Sequence, residues 1–195
     1  MSTPKESVCV HDFAEITPLG GRAPRVDTVS GTTLTEVTDR ALASVAARLG
    51  QEKAAHKLMA ELLGEAAPLP GRSTGSELSA FWMGPDNWMV EAPFASHEDL
   101  AAQISVKAKG CVSVTEQTDG WCRFDVQGDD LATVFEILCP VDMRKGAAGD
   151  ATRTSIDHLG CFVVRRQDDL VSVIGPRSSA GSLHHALLTA MKAAL

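Results

Sequence analysis

The sequence has no tyrosine, and its three tryptophans and six phenylalanines bring the aromatic content to only 5%. The more telling absences are of other kinds. No apolar run approaches the roughly 20 residues that a membrane helix requires. The first 15 residues, MSTPKESVCVHDFAE, contain no apolar stretch of the secretory kind, so no signal peptide is expected. The five cysteines, at positions 9, 111, 122, 139 and 161, form no C-x-x-C pair. An odd, scattered set argues against a disulfide scaffold and against a structural zinc site, and favours a reducing cytoplasm. Basic clusters are missing too: 18 Lys+Arg face 25 Asp+Glu, for a net charge of −7. That balance excludes the electrostatic footprint of a nucleic-acid binder and a polybasic membrane patch. No G-x-G-x-x-G, Walker-type loop or G-x-S-x-G occurs. What is present is ordinary: 195 residues, 44% hydrophobic and 22% charged, which is enough chain to bury a sizeable core.

Residues 1–31 differ from the rest. Pro4, Pro18, Gly20, Gly21, Pro24 and Gly31 interrupt them, and no apolar face persists. They read as an extended N-terminal arm, either disordered or laid on a partner. A strand is expected over Thr33–Thr38. Asp39 then caps an expected helix through Ala41, Leu42, Val45, Ala46 and Leu49, stopped by Gly50. A second helix is expected from Gln51 to Leu63, with Ala55, Leu58, Met59, Leu62 and Leu63 as its stripe. Pro68, Pro70, Gly71, Ser73 and Gly75 mark a loop. Leu78–Met83 and Trp88–Ala92 read as a hairpin around Gly84-Pro85-Asp86-Asn87. Ser96 is expected to cap the next helix, whose inner face is Leu100, Ala101 and Ile104, and a strand at Cys111–Thr115 comes after it. Cys122, Phe124 and Val126 alternate with Trp121, Arg123, Asp125 and Gln127, a period of two. Leu131, Val134, Phe135 and Leu138 then have helical spacing, and Pro140 stops the run. Residues 144–151 form a loop. Strands are expected at Thr152–His158, Cys161–Arg166 and Leu170–Ile174, and a last helix carries Leu183, Leu187, Ala190, Met191 and Ala194. This alternation predicts an α+β protein of two βαββαβ-like halves on antiparallel sheets. The halves are assigned to residues 32–118 and 119–195, expected to form one compact unit.

Candidate chemistry is sparse. Histidines stand at 11, 56, 97, 158, 184 and 185. His184 and His185, adjacent on a helix, point about 100° apart and cannot chelate one metal together. The cysteines on strands and helix ends read as small buried hydrophobes. Only Cys111, after Lys109-Gly110, hints at an activated thiol. Asp129-Asp130 reads as a cap and Asp168-Asp169 as a turn. Gly20-Gly21-Arg22 and Gly146-Ala147-Ala148-Gly149 lack the strand-then-helix setting of a phosphate loop. No catalytic, cofactor-binding or metal-binding residue is assigned, which favours a binding or subunit role.

Several stretches together carry a family resemblance. Phe81-Trp82-Met83-Gly84-Pro85-Asp86-Asn87-Trp88-Met89-Val90 resembles the W-x-G-P-D-x-W-L hairpin of the sarcosine oxidase gamma-subunit family. Val112–Met143, with Asp119-Gly120, Phe124, Gly128, Leu138-Cys139-Pro140 and Asp142, resembles its central block. Ala151-Thr152-Arg153-Thr154, Asp157-His158-Leu159-Gly160 and Ser182-Leu183-His184-His185-Ala186-Leu187 complete the resemblance, so the likeness spans residues 31–195. It implies a fold similar to the folate-binding region of the glycine-cleavage T-protein. It also implies a cofactor-free subunit beside alpha, beta and delta chains, in an enzyme that demethylates sarcosine oxidatively to glycine. That reaction forms hydrogen peroxide, and tetrahydrofolate can take the methyl carbon. FAD, FMN, NAD and zinc are then expected on the partner chains and none on this one. A stand-alone folate-dependent protein, aminomethyltransferase-like or an iron–sulfur maturation factor, is the alternative. Lys109-Gly110-Cys111 is similar to the opening of the maturation factors' signature, but Val112-Ser113-Val114 stands where Gly-Gln-Glu is expected. If the chain is an obligate subunit, the hairpin Trp82/Trp88 and the terminal helix are the places to look for an uncovered apolar face, with core burial the expected fate of both tryptophans.

Overall fold

Eleven strands and four α-helices are found among residues 15–195, the part of the chain that this computed structural model describes. The strands are β1 (Val26–Val29), β2 (Thr32–Val37), β3 (Arg40–Ala47), β4 (Ser73–Gly75), β5 (Ser79–Gly84), β6 (Asn87–Pro93), β7 (Val112–Glu116), β8 (Trp121–Gln127), β9 (Ala151–Ile156), β10 (Leu159–Gln167) and β11 (Leu170–Pro176). The helices are α1 (Glu52–Leu63), α2 (Leu100–Ala108), α3 (Leu131–Leu138) and α4 (Ala180–Ala194). The strands make two antiparallel sheets, ordered β4-β5-β6-β3-β7 and β1-β2-β8-β11-β10-β9. This is the expected α+β class. Among the described residues no helix is long and apolar enough to cross a membrane.

Three apolar clusters define four layers. Ala41, Ala43, Val45, Trp88 and Val90 on one sheet face join Leu58, Met59, Leu100 and Ile104 of α1 and α2. Phe124, Val126, Val163 and Val173 join Val134, Phe135, Leu183 and Leu187 of α3 and α4. Between the sheets, Leu42, Phe81 and Met89 meet Phe162, Val164 and Ile174. The rings of Phe81 and Phe162 lie 5.0 Å apart there. Helices thus cover the outer face of each sheet, and the inner faces cover one another.

The two sheets are repeats. The run β3-α1-β4-β5-β6-α2-β7 is matched by β8-α3-β9-β10-β11-α4, and the strand matching β7 is β2. Register makes the equivalence residue-specific, because Ala43 pairs with Val90 and Glu116 as Phe124 pairs with Val173 and Glu36. Even the exits correspond. β6 and β11 end at Pro93 and Pro176, each followed by one 3-10 turn, at Phe94–Ser96 and Arg177–Ser179.

Several expectations are corrected. The helix expected over Ala41–Leu49 is strand β3. It is an interior strand of its sheet, covered by helices on one face and by the second sheet on the other, so Ala41, Leu42 and Ala43 are buried in succession and its small residues mimic a helical run. The arm assigned to 1–31 contains strand β1, whose Val26–Val29 pairs with Thr32–Thr35. Residues 1–14 of that arm lie outside the described residues. Ser73–Gly75, read as loop, is the short edge strand β4, so three strands separate the two helices of a repeat. The sequence-based halves place β2 with residues 32–118, whereas it pairs with β8 in the other sheet. Ser96 does not cap α2: its hydroxyl reaches the Pro93 carbonyl at 3.4 Å and His97 Nδ1 at 2.9 Å, and the helix begins at Leu100. The hairpin at β5–β6 forms as expected, with Asp86 in the left-handed conformation (φ 50°).

A second hairpin carries strain that a substitution should relieve. Asp157 and His158, joining β9 to β10, have φ of 48° and 65°. Both central residues of such a turn are left-handed, a geometry that suits Asn-Gly and penalises a residue with a Cβ. His158 is exposed, so His158→Gly should stabilise the fold by about 0.5–1 kcal/mol, read as a higher denaturation midpoint in urea.

Candidate functional site

Equivalent ends of the two repeats converge on a cleft of about 560 Å³. Arg40 and Leu42 of β3 line it, as do their equivalents Trp121 and Arg123 of β8. Phe94 and Arg177, the first residues of the two 3-10 turns, also line it. Val37-Thr38 at the end of β2 and Thr118-Asp119 after β7 line it as well. These last segments belong to a repeated tract, Thr35-Glu36-Val37-Thr38-Asp39 and Thr115-Glu116-Gln117-Thr118-Asp119. This T-E-x-T-D repeat, at matching sheet positions, is the sequence signal that points to the cleft.

Each copy of the repeat does local structural work. Glu36 is 1% exposed, and its carboxylate accepts the backbone N–H of Leu19 at 2.8 Å and of Arg25 at 3.0 Å. It thereby fastens the segment Ile16–Pro24 along one side of the cleft. Arg177 Nη2 donates to the Ile16 carbonyl at 3.0 Å, a second tie. In the other copy, Thr118 Oγ1 accepts the Leu42 N–H at 3.0 Å, and the Trp121 indole N–H donates to Gln117 Oε1 at 3.0 Å. Trp121 is held as a wall whose ring lies 5.7 Å from that of Phe162.

Below the cleft, charged groups are buried between the sheets. Glu91 of β6 is 1% exposed and meets Arg123 Nη1 at 3.4 Å and Arg166 Nη2 at 2.5 Å. Arg123 also makes two 2.8 Å bonds to Asp125, and Ser172 links Arg166 to Asp125 at 2.9 and 2.7 Å. Burial pushes the Glu91 carboxyl upward, but the charges of Arg166, Arg123 and Arg40 outweigh it and hold the carboxyl below its ordinary range. Burial opposes the charge on Arg123, yet Glu91 and Asp125 raise its pKa all the same. The network is saturated with its own partners, which suits a structural pin better than a reacting group. Arg40 is different. It is half-buried in the wall, and its side chain makes no hydrogen bond or ion pair among the described residues. The cleft offers guanidinium groups, rim carboxylates and an indole face. Its described lining contains no Cys, His, Ser or Lys.

Other residues weighed from the sequence lie apart. His184 Nε2 bonds Asp27 Oδ2 at 2.8 Å, and Arg25 bonds the same carboxylate, so this histidine pins β1 to α4. Those bonds, led by the one from Arg25, hold the Asp27 carboxyl below its usual range. His185 is exposed, and His56 bonds Asp86 at 2.8 Å and packs edge-on against Trp88. His11 and Cys9 lie outside the described residues. Among the described residues no three His, Cys, Asp or Glu side chains converge as a metal site. Burial pushes the thiols of Cys122 and Cys161 up to about 12 and about 11, far from thiolates at neutral pH. Cys139 is raised as well, mainly by burial. In the Gly146–Gly149 loop, carbonyls of Met143 and Gly146 accept from Arg165 at 2.7 Å and Ala147 N–H donates to Asp150, so its polar groups serve the fold. Trp88 is 1% exposed, the core burial expected of it.

The duplicated α+β architecture recurs in solved structures. It matches a chain of the heterotetrameric sarcosine oxidase from Corynebacterium sp. U-96, solved with pyrrole 2-carboxylate, with a TM-score of 0.74 and 22% identity over 86% of this chain and 87% of that one. It also matches the glycine cleavage system aminomethyltransferase T from Bartonella henselae, with a TM-score of 0.63 and 14% identity, over 90% of this chain and 57% of that one. No protein-family model matches the chain, and no curated protein matches it significantly. At these identities the likeness is one of fold.

Proposed function

We propose that the chain is the non-catalytic gamma subunit of a cytoplasmic heterotetrameric sarcosine oxidase. That complex converts sarcosine to glycine with hydrogen peroxide formation and passes the methyl carbon to tetrahydrofolate. The observation that carries this reading is extent. The match covers 86% of this chain and 87% of its counterpart, so the two agree in length as well as topology, whereas the aminomethyltransferase is covered over only 57%. Buried, high-pKa thiols and a self-satisfied ion network favour a structural role. FAD, FMN, NAD and zinc would then reside on the alpha, beta and delta chains. Co-expression with those three chains should yield one stoichiometric complex on size exclusion. A monodisperse chain that ignores all three would refute the assignment.

The cleft favours a second reading, a stand-alone folate-binding protein, because it is of ligand size and carries the unpaired Arg40 beside Trp121. Titration calorimetry with tetrahydrofolate separates the two. Micromolar binding by the isolated chain, lost in Arg40→Ala, supports the second reading, and the absence of heat supports the first.

A further inference from the structure

The helical face over the first sheet holds a groove of about 520 Å³ between α1 and α2. Its apolar lining is Ala54, Leu58, Leu62 and Ala108, and its charged lining is Lys57, Lys107 and Lys109 with one carboxylate, Glu61. The end of the groove is closed by the turn between β3 and α1, where the Arg48 N–H bonds the Cys111 carbonyl at 3.0 Å. At the tip of this turn Leu49 is 99% exposed, and Val106 on the outer side of α2 is 82% exposed. The sequence pattern marks neither residue as surface-forming.

Charge distinguishes this face from the rest of the molecule. The chain has seven lysines, at 5, 53, 57, 107, 109, 145 and 192, and a net charge of −7. Four of the seven, Lys53, Lys57, Lys107 and Lys109, lie on or beside this groove, with Arg48 at its end. Of these four, only Lys57 has an ion-pair partner among the described residues, Glu61 at a loose 3.9 Å. Glu52, at the start of α1, is turned toward the Gly50 N–H at 2.9 Å. An acidic protein therefore presents one concave apolar strip where three ammonium groups, Lys57, Lys107 and Lys109, face a single carboxylate, Glu61, with a bare leucine at its end.

We propose that this groove docks an acidic, amphipathic segment of a partner protein, its apolar side on Leu58 and Leu62 and its carboxylates toward Lys57, Lys107 and Lys109. Burial of apolar side chains supplies the affinity, and the lysines select for acidic partners and speed their approach. A second copy of this chain docking through the same face would set lysines against lysines. An anionic bilayer would be repelled by the rest of the surface, and it offers nothing to fill a concave groove.

The test places the photo-cross-linker p-benzoylphenylalanine at Leu49 of the full chain, expressed in its native cells, with the same group at Leu69 as control. The cross-linked peptide is sequenced by mass spectrometry. The expected product is a carboxylate-rich amphipathic stretch of a different chain. Its yield should fall by about tenfold or more in the Lys107→Glu/Lys109→Glu variant and in high salt, with the variant's denaturation midpoint unchanged. A product on lipid, on a second copy, or on a segment without acidic residues overturns the proposal. So does a yield indifferent to charge reversal, or none above the Leu69 control. A captured chain that is not a sarcosine oxidase subunit would count against the gamma-subunit assignment while leaving the docking surface standing.

Discussion

Trp88→Ala should cost roughly 3–5 kcal/mol of folding stability, the range for removing a large aromatic from a packed core. Trp88 is 1% exposed on β6, its indole N–H donates to the Pro68 carbonyl at 2.9 Å, and His56 meets the ring edge-on at 4.9 Å. Truncation would empty the space between the sheet and α1. It would also free the loop after α1 from its only side-chain tie to this strand among the described residues, leaving the Pro68 carbonyl buried without that donor. Chemical denaturation reads the effect directly: the midpoint falls while the slope stays constant. A folded variant of near-native stability that merely failed to assemble would place Trp88 at an interface, contrary to its burial.

The second large effect concerns Glu91. Glu91→Gln should destabilise the fold by about 3 kcal/mol or more, because it leaves Arg123 and Arg166 buried between the sheets with too little negative charge. Acid should act on the same group. The Glu91 carboxyl titrates lower in the folded chain than in the unfolded one. Its contribution is therefore complete above the ordinary carboxylate range and drains away as pH falls from that range through its lower folded value. Wild-type stability should decline on that acid limb, and Glu91→Gln should flatten it. Denaturation midpoints measured from pH 7 downward check both statements, and an equally steep limb in the variant would remove Glu91 as the cause.

These two residues also show what the sequence discloses. Trp88 sits in a short apolar run after a Gly-Pro-Asp-Asn turn, so the hairpin is legible from composition and turn chemistry. Period is the signal for Cys122, Phe124 and Val126 of β8 and for the helical spacing of α3. It misleads where a second layer covers the other face. Arg123 and Asp125 alternate with the apolar residues as a solvated face would, yet their side chains are only 11% and 17% exposed, because the first sheet lies over them. β3 fails for the same reason, since burial on both faces removes the alternation that separates a strand from a short helix. β1 is missed because Val26 and its neighbours lie at a sheet edge with little to bury. The cleft is assembled from strand ends far apart in the chain, so only the T-E-x-T-D repeat announces it.

The placement of β2 has a consequence for how the chain comes together. The first sheet uses only strands lying between Arg40 and Glu116, whereas β2 finds its partner in β8, beyond that whole unit. Synthesis therefore delivers the β1–β2 hairpin before its neighbour exists, and an unpaired edge must persist until β8 emerges. Such non-local pairing raises contact order and slows the closing step. It also interlocks the repeats: cutting the chain between β7 and β8 would strip the second sheet of its β1–β2 edge. A circular permutant that starts at β3 and carries the β1–β2 hairpin after α4 would place that hairpin in the same repeat as β8, giving each sheet a contiguous stretch of sequence.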